Sequence, residues 1–258
     1  MSATLLQAIG LTLRAGTRTL AEGLDLRIEP GQCWALLGPN GSGKSTLLHT
    51  LAGLRPAQGG QVLLEGLPLQ AWSPLEAARR RGLLPQQLHD AFSSPVLEVV
   101  LTGRHPHLPR WGWESEDDHR IARAALAAVD LHGFEARDVR ALSGGERQRV
   151  GIAALLAQAP RLLMLDEALA HLDLPHQVGL LEHLRALAQR EGHAVLLSIH
   201  DFNLAHRFAT HALLLGRAGM PAQAGPADAV MSAEALSAAF GHRVHRGQVQ
   251  GRTVFVAD

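Results

Sequence analysis

Nine consecutive residues between an apolar run and a stretch of helical character carry the clearest chemical signal in the chain. They are Gly38, Pro39, Asn40, Gly41, Ser42, Gly43, Lys44, Ser45 and Thr46. Glycines let successive backbone N–H groups converge on an anion, and the start of a helix adds its positive end. Lys44 contributes an ammonium group and Ser45 a hydroxyl for Mg²⁺. Since residues 33–37 predict a strand and residues 46–54 a helix, this loop is predicted to bind a nucleoside triphosphate.

Acidic and imidazole side chains follow two further apolar runs. Asp166 and Glu167 come directly after residues 162–165, and His200 comes after residues 195–199. Continuous apolar strands that alternate with helices indicate a parallel sheet covered on both faces, and ligands of such sheets bind at the carboxyl ends of the strands. One carboxylate could hold Mg²⁺ while the other orients or deprotonates an attacking water. The sequence therefore predicts phosphoryl chemistry at the edge where the phosphate loop lies.

A second group of residues suited to an anion precedes a helix predicted over residues 146–158. Gly144 and Gly145 expose backbone N–H groups at the positive end of this helix, and Ser143 adds a hydroxyl. One phosphate loop already surrounds one triphosphate. The second helix start is therefore best explained if it closes over a nucleotide held by another copy of the chain, which predicts a dimer.

The composition limits the classes of function that the chain can have. Acidic and basic residues number 24 each among 258 residues, so no basic surface for nucleic acid is expected. The single cysteine, Cys33, lies in the strand predicted before the phosphate loop, where it is expected to be a buried hydrophobic residue. No apolar run approaches the roughly 18 residues of a membrane span, and no secretory leader pattern is visible. We expect a soluble chain that reaches a membrane only through a partner.

The order of predicted elements indicates one α/β domain built from several parts. Residues 3–30 alternate in hydrophobicity and contain turn residues, which predicts an antiparallel β-sheet that residues 61–64 extend. From residue 94 to about residue 159 the pattern becomes helical, and residues 115–118 resemble a capping box. The end of the chain predicts a short helix over residues 233–240 and two strands. No internal repeat is visible.

These motifs together make the chain resemble the ATP-binding subunit of an ABC transporter, and the resemblance covers nearly all of it. It implies an α/β fold of the P-loop NTPase (RecA-like) type, with a parallel sheet core, an N-terminal antiparallel β-subdomain and an inserted helical subdomain. The single domain, 1–258, would divide into a nucleotide-binding core with the β-subdomain (1–86 and 160–220), a helical signature subdomain (87–159) and a C-terminal extension (221–258).

The resemblance also implies a role for each motif residue, with ATP and Mg²⁺ as the bound cofactors. Residues 38–46 match the Walker A loop and residues 162–166 match Walker B. Glu167 resembles the general base, His200 resembles the switch histidine that senses the γ-phosphate, and Lys44 counts among the catalytic residues. Ser45 and Asp166 match the metal ligands, and Gln86 matches the glutamine that touches Mg²⁺, or Gln87 if the register slips by one. Asp173 matches the D-loop aspartate. Residues 142–148 match the signature sequence that contacts the γ-phosphate across the dimer, through Ser143, Gly144, Gly145 and Gln148.

The chain departs from the family pattern at two places. The family often has Glu-Pro-Thr-Ser-x-Leu-Asp after Walker B, whereas residues 167–173 read Glu-Ala-Leu-Ala-His-Leu-Asp. Both acidic residues are kept, so hydrolysis is expected, but the hydroxyl groups at 169 and 170 are missing. Arg14 stands where the family commonly stacks an aromatic ring on adenine, so the resemblance implies either weaker stacking or stacking on the guanidinium plane.

Residues 95–107 resemble the helical segment of importers for iron-siderophores, haem and cobalamin, which in the family lies near the permease. The resemblance implies a homodimer, a separate polytopic membrane permease, a periplasmic or lipoprotein solute-binding protein, and a peripheral position on the cytoplasmic face of the inner membrane. The less favoured alternative is an ordinary helix followed by a Pro-rich turn. His105 and His107 would form a metal site only with a third ligand. The alternative function is a soluble ABC ATPase of iron–sulfur cluster assembly.

Overall fold

A computed structural model describes the fold for residues 4–16, 18–87, 92–109, 111–217 and 220–258. In these residues the strands fall into a six-stranded sheet, a four-stranded sheet and a separate two-stranded hairpin. The strands are β1 Leu6–Ala15, β2 Arg18–Ile28, β3 Cys33–Leu37, β4 Gly59–Leu64, β5 Leu67–Pro68, β6 Arg81–Leu84, β7 Leu162–Leu165, β8 Ala194–Ser198, β9 His211–Leu214, β10 Gln223–Pro226, β11 Val244–Val249 and β12 Arg252–Ala257.

The helices connect the strands of the large sheet and form most of the chain between β6 and β7. Short 3₁₀ turns lie at Leu69–Ala71, Thr102–His107 and Val139–Ala141. The α-helices are α1 Lys44–Leu51, α2 Pro74–Arg80, α3 Val96–Leu101, α4 Glu116–Ala127, α5 Gly144–Gln158, α6 Leu174–Glu191, α7 Phe202–Phe208, α8 Ala227–Val230 and α9 Ala233–Phe240. Among the residues that the structure describes, no helix is both long enough and apolar enough to cross a bilayer.

The six-stranded sheet has the order β10-β9-β3-β8-β7-β6 and is parallel except for β10. Its central strands are buried on both faces, as their continuous apolar sequences predict. Along β3, Ala35 and Leu37 pack into a core that the helices share, whereas Trp34 and Leu36 pack into a second core on the opposite face. The strict alternation fixes the register of the sheet, because a shift of one residue would exchange the two faces.

The predicted antiparallel sheet is confirmed, with the order β2-β1-β4-β5. Its buried face and α1 form the second core together with one face of the six-stranded sheet, and Leu47, Leu48 and Leu51 are the apolar residues of α1 in this core. The helix that carries Lys44 is thereby held between two sheets. The predicted bounds of this helix, 46–54, were shifted: the helix begins at Lys44, directly after the loop, and ends at Leu51.

The region between β6 and β7 is helical, as predicted. The predicted capping box is present: Ser115 Oγ accepts a hydrogen bond from the Asp118 backbone N–H at 3.3 Å, and the Asp118 carboxylate accepts one from the Ser115 N–H at 3.0 Å. α5 begins at Gly144, two residues before the predicted start at 146. Ser143 is the N-cap residue that precedes α5, so Gly144 and Gly145 lie in the first turn of the helix.

The two glycines of that first turn have different surroundings. An ideal Cβ added at Gly145 would lie 2.7 Å from the backbone oxygen of His171, whereas one added at Gly144 would meet no atom within 4 Å. The start of α5 therefore packs directly on the backbone of the loop that follows β7.

We expect Gly145→Ala to lower the free energy of unfolding by about 1–3 kcal/mol, because the new methyl group must displace backbone. Gly144→Ala is the matched control and should change stability by less than about 0.5 kcal/mol. Urea denaturation followed by circular dichroism measures both. Equal stability of the two variants would contradict the packing described here.

Cys33 lies in β3 with 0% of its surface exposed, and burial raises the pKa of its thiol to about 11. Because the thiolate is the reactive form, we expect a thiol-specific reagent to label the folded protein at pH 8 at least roughly 10²-fold more slowly than the urea-unfolded chain. Absorbance of the released thiol product measures the rate. Complete labelling of the folded protein within minutes would show that Cys33 is accessible.

Candidate nucleotide site

The parallel sheet brings the predicted site residues to one edge. The phosphate loop follows β3, Gln86 follows β6, Asp166 and Glu167 follow β7, and His200 follows β8. Because these four strands run in the same direction, their carboxyl ends lie side by side. The predicted convergence of the loop, the two acids and the histidine is therefore what the fold produces.

Lys44 is held inside the phosphate loop. Its side chain is only 5% exposed, and Nζ donates to Gly38 O at 2.9 Å and to Pro39 O at 3.4 Å. Burial lowers the pKa of the Lys44 ammonium, and the carboxylates of Glu167 and Asp166 oppose this shift. A cation confined in this way, beside backbone N–H groups at the start of α1, is suited to phosphate oxygens.

Glu167 is the centre of the polar contacts at this edge. Gln86 Nε2 donates to Glu167 Oε2 at 2.7 Å, and His200 Nε2 lies 2.8 Å from Glu167 Oε1. Lys44 Nζ lies 3.9 Å from the same Oε1. Gln86 and Gln87 are both exposed, and the hydrogen bond to the carboxylate comes from Gln86. Glu167 also has a backbone φ of 50°, a left-handed conformation that non-glycine residues adopt at a cost.

The Asp166 carboxylate differs from that of Glu167 in having no hydrogen-bond partner among the described residues. The residue is 1% exposed, and both carboxylate oxygens are buried. Buried carboxylate oxygens require compensation by a donor or a cation. Asp166 thus fits a bound Mg²⁺, which takes oxygen ligands, and Ser45 and Gln86 stand on the elements that flank it.

The predicted second anion site lies at the start of α5. Ser143 Oγ accepts from the Glu146 N–H at 3.3 Å, and Glu146 Oε2 accepts from the Ser143 N–H at 2.8 Å, which completes a capping box. Ser143 Oγ also donates to Glu146 Oε2 at 2.7 Å. These hydrogen bonds to Ser143 lower the pKa of Glu146, so its carboxylate stays ionised. Gly144 and Gly145 form the first turn, but Gln148 is 5% exposed and points into the chain's own interior. No hydrogen bond or ion pair among the described residues joins Ser143 to the phosphate loop.

The loop after Glu167 buries Leu169, whereas Ala170 is exposed. Leu169 is 6% exposed, and Gln177 Nε2 donates to both Leu169 O and Leu172 O at 3.0 Å. Asp173 caps α6 by accepting from the His176 N–H at 3.2 Å, and its carboxylate also contacts the His176 ring. The hydrogen bond with His176 is the main cause that lowers the pKa of Asp173. The apolar side chain at 169 is therefore a packing element of this loop.

The β1–β2 hairpin that carries Arg14 approaches the phosphate loop. Arg14 is exposed and pairs with Thr19 in the hairpin. Leu20 of the same hairpin is the nearest side chain to the loop glycine Gly43, since a Cβ built there would lie 2.8 Å from Leu20 Cδ1. Leu20 therefore places this hairpin at the border of the phosphate loop, and Arg14 stands six residues before Leu20.

Comparisons with known proteins agree with this geometry. The sequence profile of the ABC transporter family matches residues 21–170. The hemin import ATP-binding protein HmuV of Myxococcus xanthus is 44% identical over 238 residues, which cover 90% of this chain and 87% of the relative. The ferric enterobactin transport ATP-binding protein FepC of Escherichia coli is 39% identical, over 90% of this chain and 86% of the relative.

Solved structures give the same result at the level of the fold. An inward-facing transporter assigned to the metal-chelate type of ABC transporter aligns with a TM-score of 0.85 and 28% identity, over 98% of this chain and 97% of its own. The cassette MJ0796, solved as a dimer in a post-hydrolysis state with ADP and Pi, aligns with a TM-score of 0.71 and 26% identity over 81% and 94%. The P-loop fold expected from the sequence is confirmed, and the chain belongs to the ABC transporter family.

Proposed function

We propose that the chain is the ATP-hydrolysing subunit of an importer that takes up a metal chelate (haem, a ferric siderophore or cobalamin) through a separate membrane permease. The observation that carries this proposal is the group of Lys44, Gln86 and His200 around the Glu167 carboxylate, next to the buried and unpartnered Asp166. Two relatives near 40% identity, one named for hemin import and one for ferric enterobactin transport, support the transport class. For the same reason, the alternative of iron–sulfur cluster assembly is not favoured.

The nucleotide would be held by the phosphate loop, residues 38–46. Backbone N–H groups and Lys44 would bind the phosphates, and Ser45, Gln86 and Asp166 would hold Mg²⁺. Bound Mg²⁺ would neutralise charge on the phosphate oxygens. Arg14 would lie beside the base, with its guanidinium plane in place of an aromatic ring.

Glu167 is the group suited to orient and deprotonate the attacking water. Its carboxylate already accepts hydrogen bonds in the structure, and it lies 3.9 Å from the Lys44 ammonium that would bind phosphate. His200, in contact with the same carboxylate at 2.8 Å, would respond to the γ-phosphate and to any movement of Glu167. Proton transfer to a positioned carboxylate is the part of this chemistry that the chain itself supplies.

A second copy would complete each site. Ser143, Gly144 and Gly145 of one copy would bind the γ-phosphate held by Lys44 of the other, with Asp173 of the D-loop at the same interface. Binding of ATP would then favour the closed pair, because each nucleotide contacts both copies only in that state. The dimeric form of the solved MJ0796 cassette supports this arrangement.

The other partners follow from the proposed class. The helical subdomain, 87–159, would meet a polytopic permease at the cytoplasmic face of the membrane, with a solute-binding protein on the opposite side. The core with its β-subdomain, 1–86 and 160–220, would carry the nucleotide, and the extension 221–258 would complete the domain.

We expect Glu167→Gln to bind ATP with nearly the parent affinity and to hydrolyse it roughly 10²-fold or more slowly, since the amide cannot accept the water proton. Phosphate release measures hydrolysis, and a fluorescent ATP analogue measures binding. Glu182→Gln, at an exposed carboxylate paired with Arg207, is the matched control and should keep the parent rate. Hydrolysis by Glu167→Gln at the parent rate would refute the assignment of the base.

We expect uptake of one labelled metal chelate to be lost when the gene for this chain is deleted and to return with the parent gene but not with Glu167→Gln. Hemin, a ferric siderophore and cobalamin are the three substrates to supply, with hemin first because HmuV is the more identical of the two relatives. Unchanged uptake of all three in the deletion strain would contradict the proposed substrate class.

A further inference from the structure

The 3₁₀ segment Thr102–His107 has no part in the nucleotide chemistry, yet its side chains bind the end of the signature helix α5. The last four carbonyl groups of a helix have no partner within the helix. Arg104 Nη1 donates to Ala157 O at 2.7 Å, and His107 Nε2 lies 2.9 Å from Gln158 O. Two of these carbonyls are thus satisfied by one neighbouring segment.

Arg104 is itself held rigidly. It is 8% exposed, and its Nε donates to Asp118 Oδ1 at 2.8 Å. The other oxygen of Asp118 accepts from Ser115 Oγ at 2.6 Å within the capping box of α4. The hydrogen bonds from Ser115 and then Arg104 hold the pKa of Asp118 well below its usual range, so the ion pair persists at neutral pH. A buried, charge-assisted contact of this kind fixes geometry more strongly than an exposed pair does.

Close approach of the segment to α5 depends on Gly103. An ideal Cβ at this position would lie 2.2 Å from Ala154 O, in the last turns of the helix. Every larger residue would therefore push the segment away and lengthen the hydrogen bonds of Arg104 and His107. This contact explains why the segment carries Gly103, Arg104 and His107. The part of the chain that the structure describes contains no group of histidine, cysteine or carboxylate residues that could hold a metal ion.

The same end of α5 is also joined to the strand that leads to Gln86. Gln158 Nε2 donates to Ala78 O at 2.6 Å and to Arg81 O at 3.0 Å, at the junction of α2 and β6. Arg79 Nε donates to Pro106 O at 2.6 Å and ties α2 to the 3₁₀ segment. The C-terminal end of α5 is consequently fixed to α2, β6 and the 3₁₀ segment. Ser143 caps the opposite end, which packs on the loop after β7 through Gly145.

On the basis of the proposed function, we infer that Arg104 and His107 are positioning residues that set where Ser143 meets the nucleotide of the second copy. α5 contains 15 residues and is about 22 Å long at 1.5 Å per residue. A rotation of about 10° at its anchored end would move the Ser143 end by about 4 Å, which exceeds the tolerance of a hydrogen bond. The contacts of Arg104 and His107 with α5 therefore act on dimer closure and leave the phosphate loop of the same chain unaffected.

The test compares ATP-driven dimerisation with nucleotide binding by the single chain. In the Glu167→Gln background, which retains ATP, we expect Arg104→Met to weaken dimerisation about tenfold, since it removes two charge-assisted hydrogen bonds. The affinity for a fluorescent ATP analogue at low protein concentration should stay within about twofold of the parent. Analytical ultracentrifugation measures the dimer, and the loss should also appear as slower hydrolysis in the otherwise native chain.

Three further variants separate positioning from general destabilisation. Arg120→Met removes an exposed i,i+3 pair with Asp117 on the same α4 helix and should behave as the parent. His107→Leu should weaken dimerisation, and His107→Gln should restore it, because the amide can donate to Gln158 O as the ring does. Val100→Ala creates a cavity in the same helical region and should lower thermal stability. The molecules of this variant that remain folded should dimerise as the parent does.

Dimerisation of Arg104→Met at the parent level would overturn the inference. So would a loss of dimerisation in Arg104→Met that is no larger than the loss in Val100→Ala, if the two variants have equal thermal stability. If Arg104→Met does not fold, the His107→Leu and His107→Gln pair decides, and equal dimerisation of these two would overturn it. Failure of the Glu167→Gln parent itself to dimerise with ATP would instead refute the proposed function, and with it this inference.

Discussion

The parallel direction of β3, β6, β7 and β8 is the constraint on which the rest of the site depends. Because the four strands end at one edge, residues far apart in the chain reach hydrogen-bonding distance: Gln86 and Glu167 are separated by 81 residues, and Glu167 and His200 by 33. The strands share this direction because crossover connections return the chain to the opposite edge before each of them, and apolar cores bury both faces of the sheet. The chemistry of the edge is thus a consequence of how the sheet is packed.

Elements whose sequence pattern allows one structural solution could be predicted. The apolar runs of β3, β7 and β8 and the capping box at Ser115 are of this kind, because burial on both faces and a reciprocal cap each demand a characteristic pattern. β6 was not predicted, since Arg81–Leu84 is a four-residue edge strand that begins with a charged residue. Its position is decided by β7, its partner, and not by its own pattern.

The motifs indicated the residues that the fold brings to one edge of the sheet, but the contacts among these residues could not be obtained from spacing. The resemblance assigns Gln86 to a metal and His200 to a phosphate, whereas the structure shows both on the carboxylate of Glu167. These contacts depend on side-chain rotamers across three loops. The burial of Gln148 and the two carbonyl contacts of Arg104 and His107 at the end of α5 were likewise invisible, since they arise from tertiary packing of segments about 50 residues apart.

The left-handed backbone of Glu167 gives this position an unusual character. A non-glycine residue in that conformation stores strain of order 1–3 kcal/mol, which the surrounding sheet must hold in place. A glycine at this position would relieve the strain and stabilise the turn, but it would remove the carboxylate that Lys44, Gln86 and His200 contact. In the proposed role of Glu167, stability of the fold and reactivity of the site therefore oppose each other at a single residue, and selection for a more heat-resistant chain would tend to lower its turnover there first.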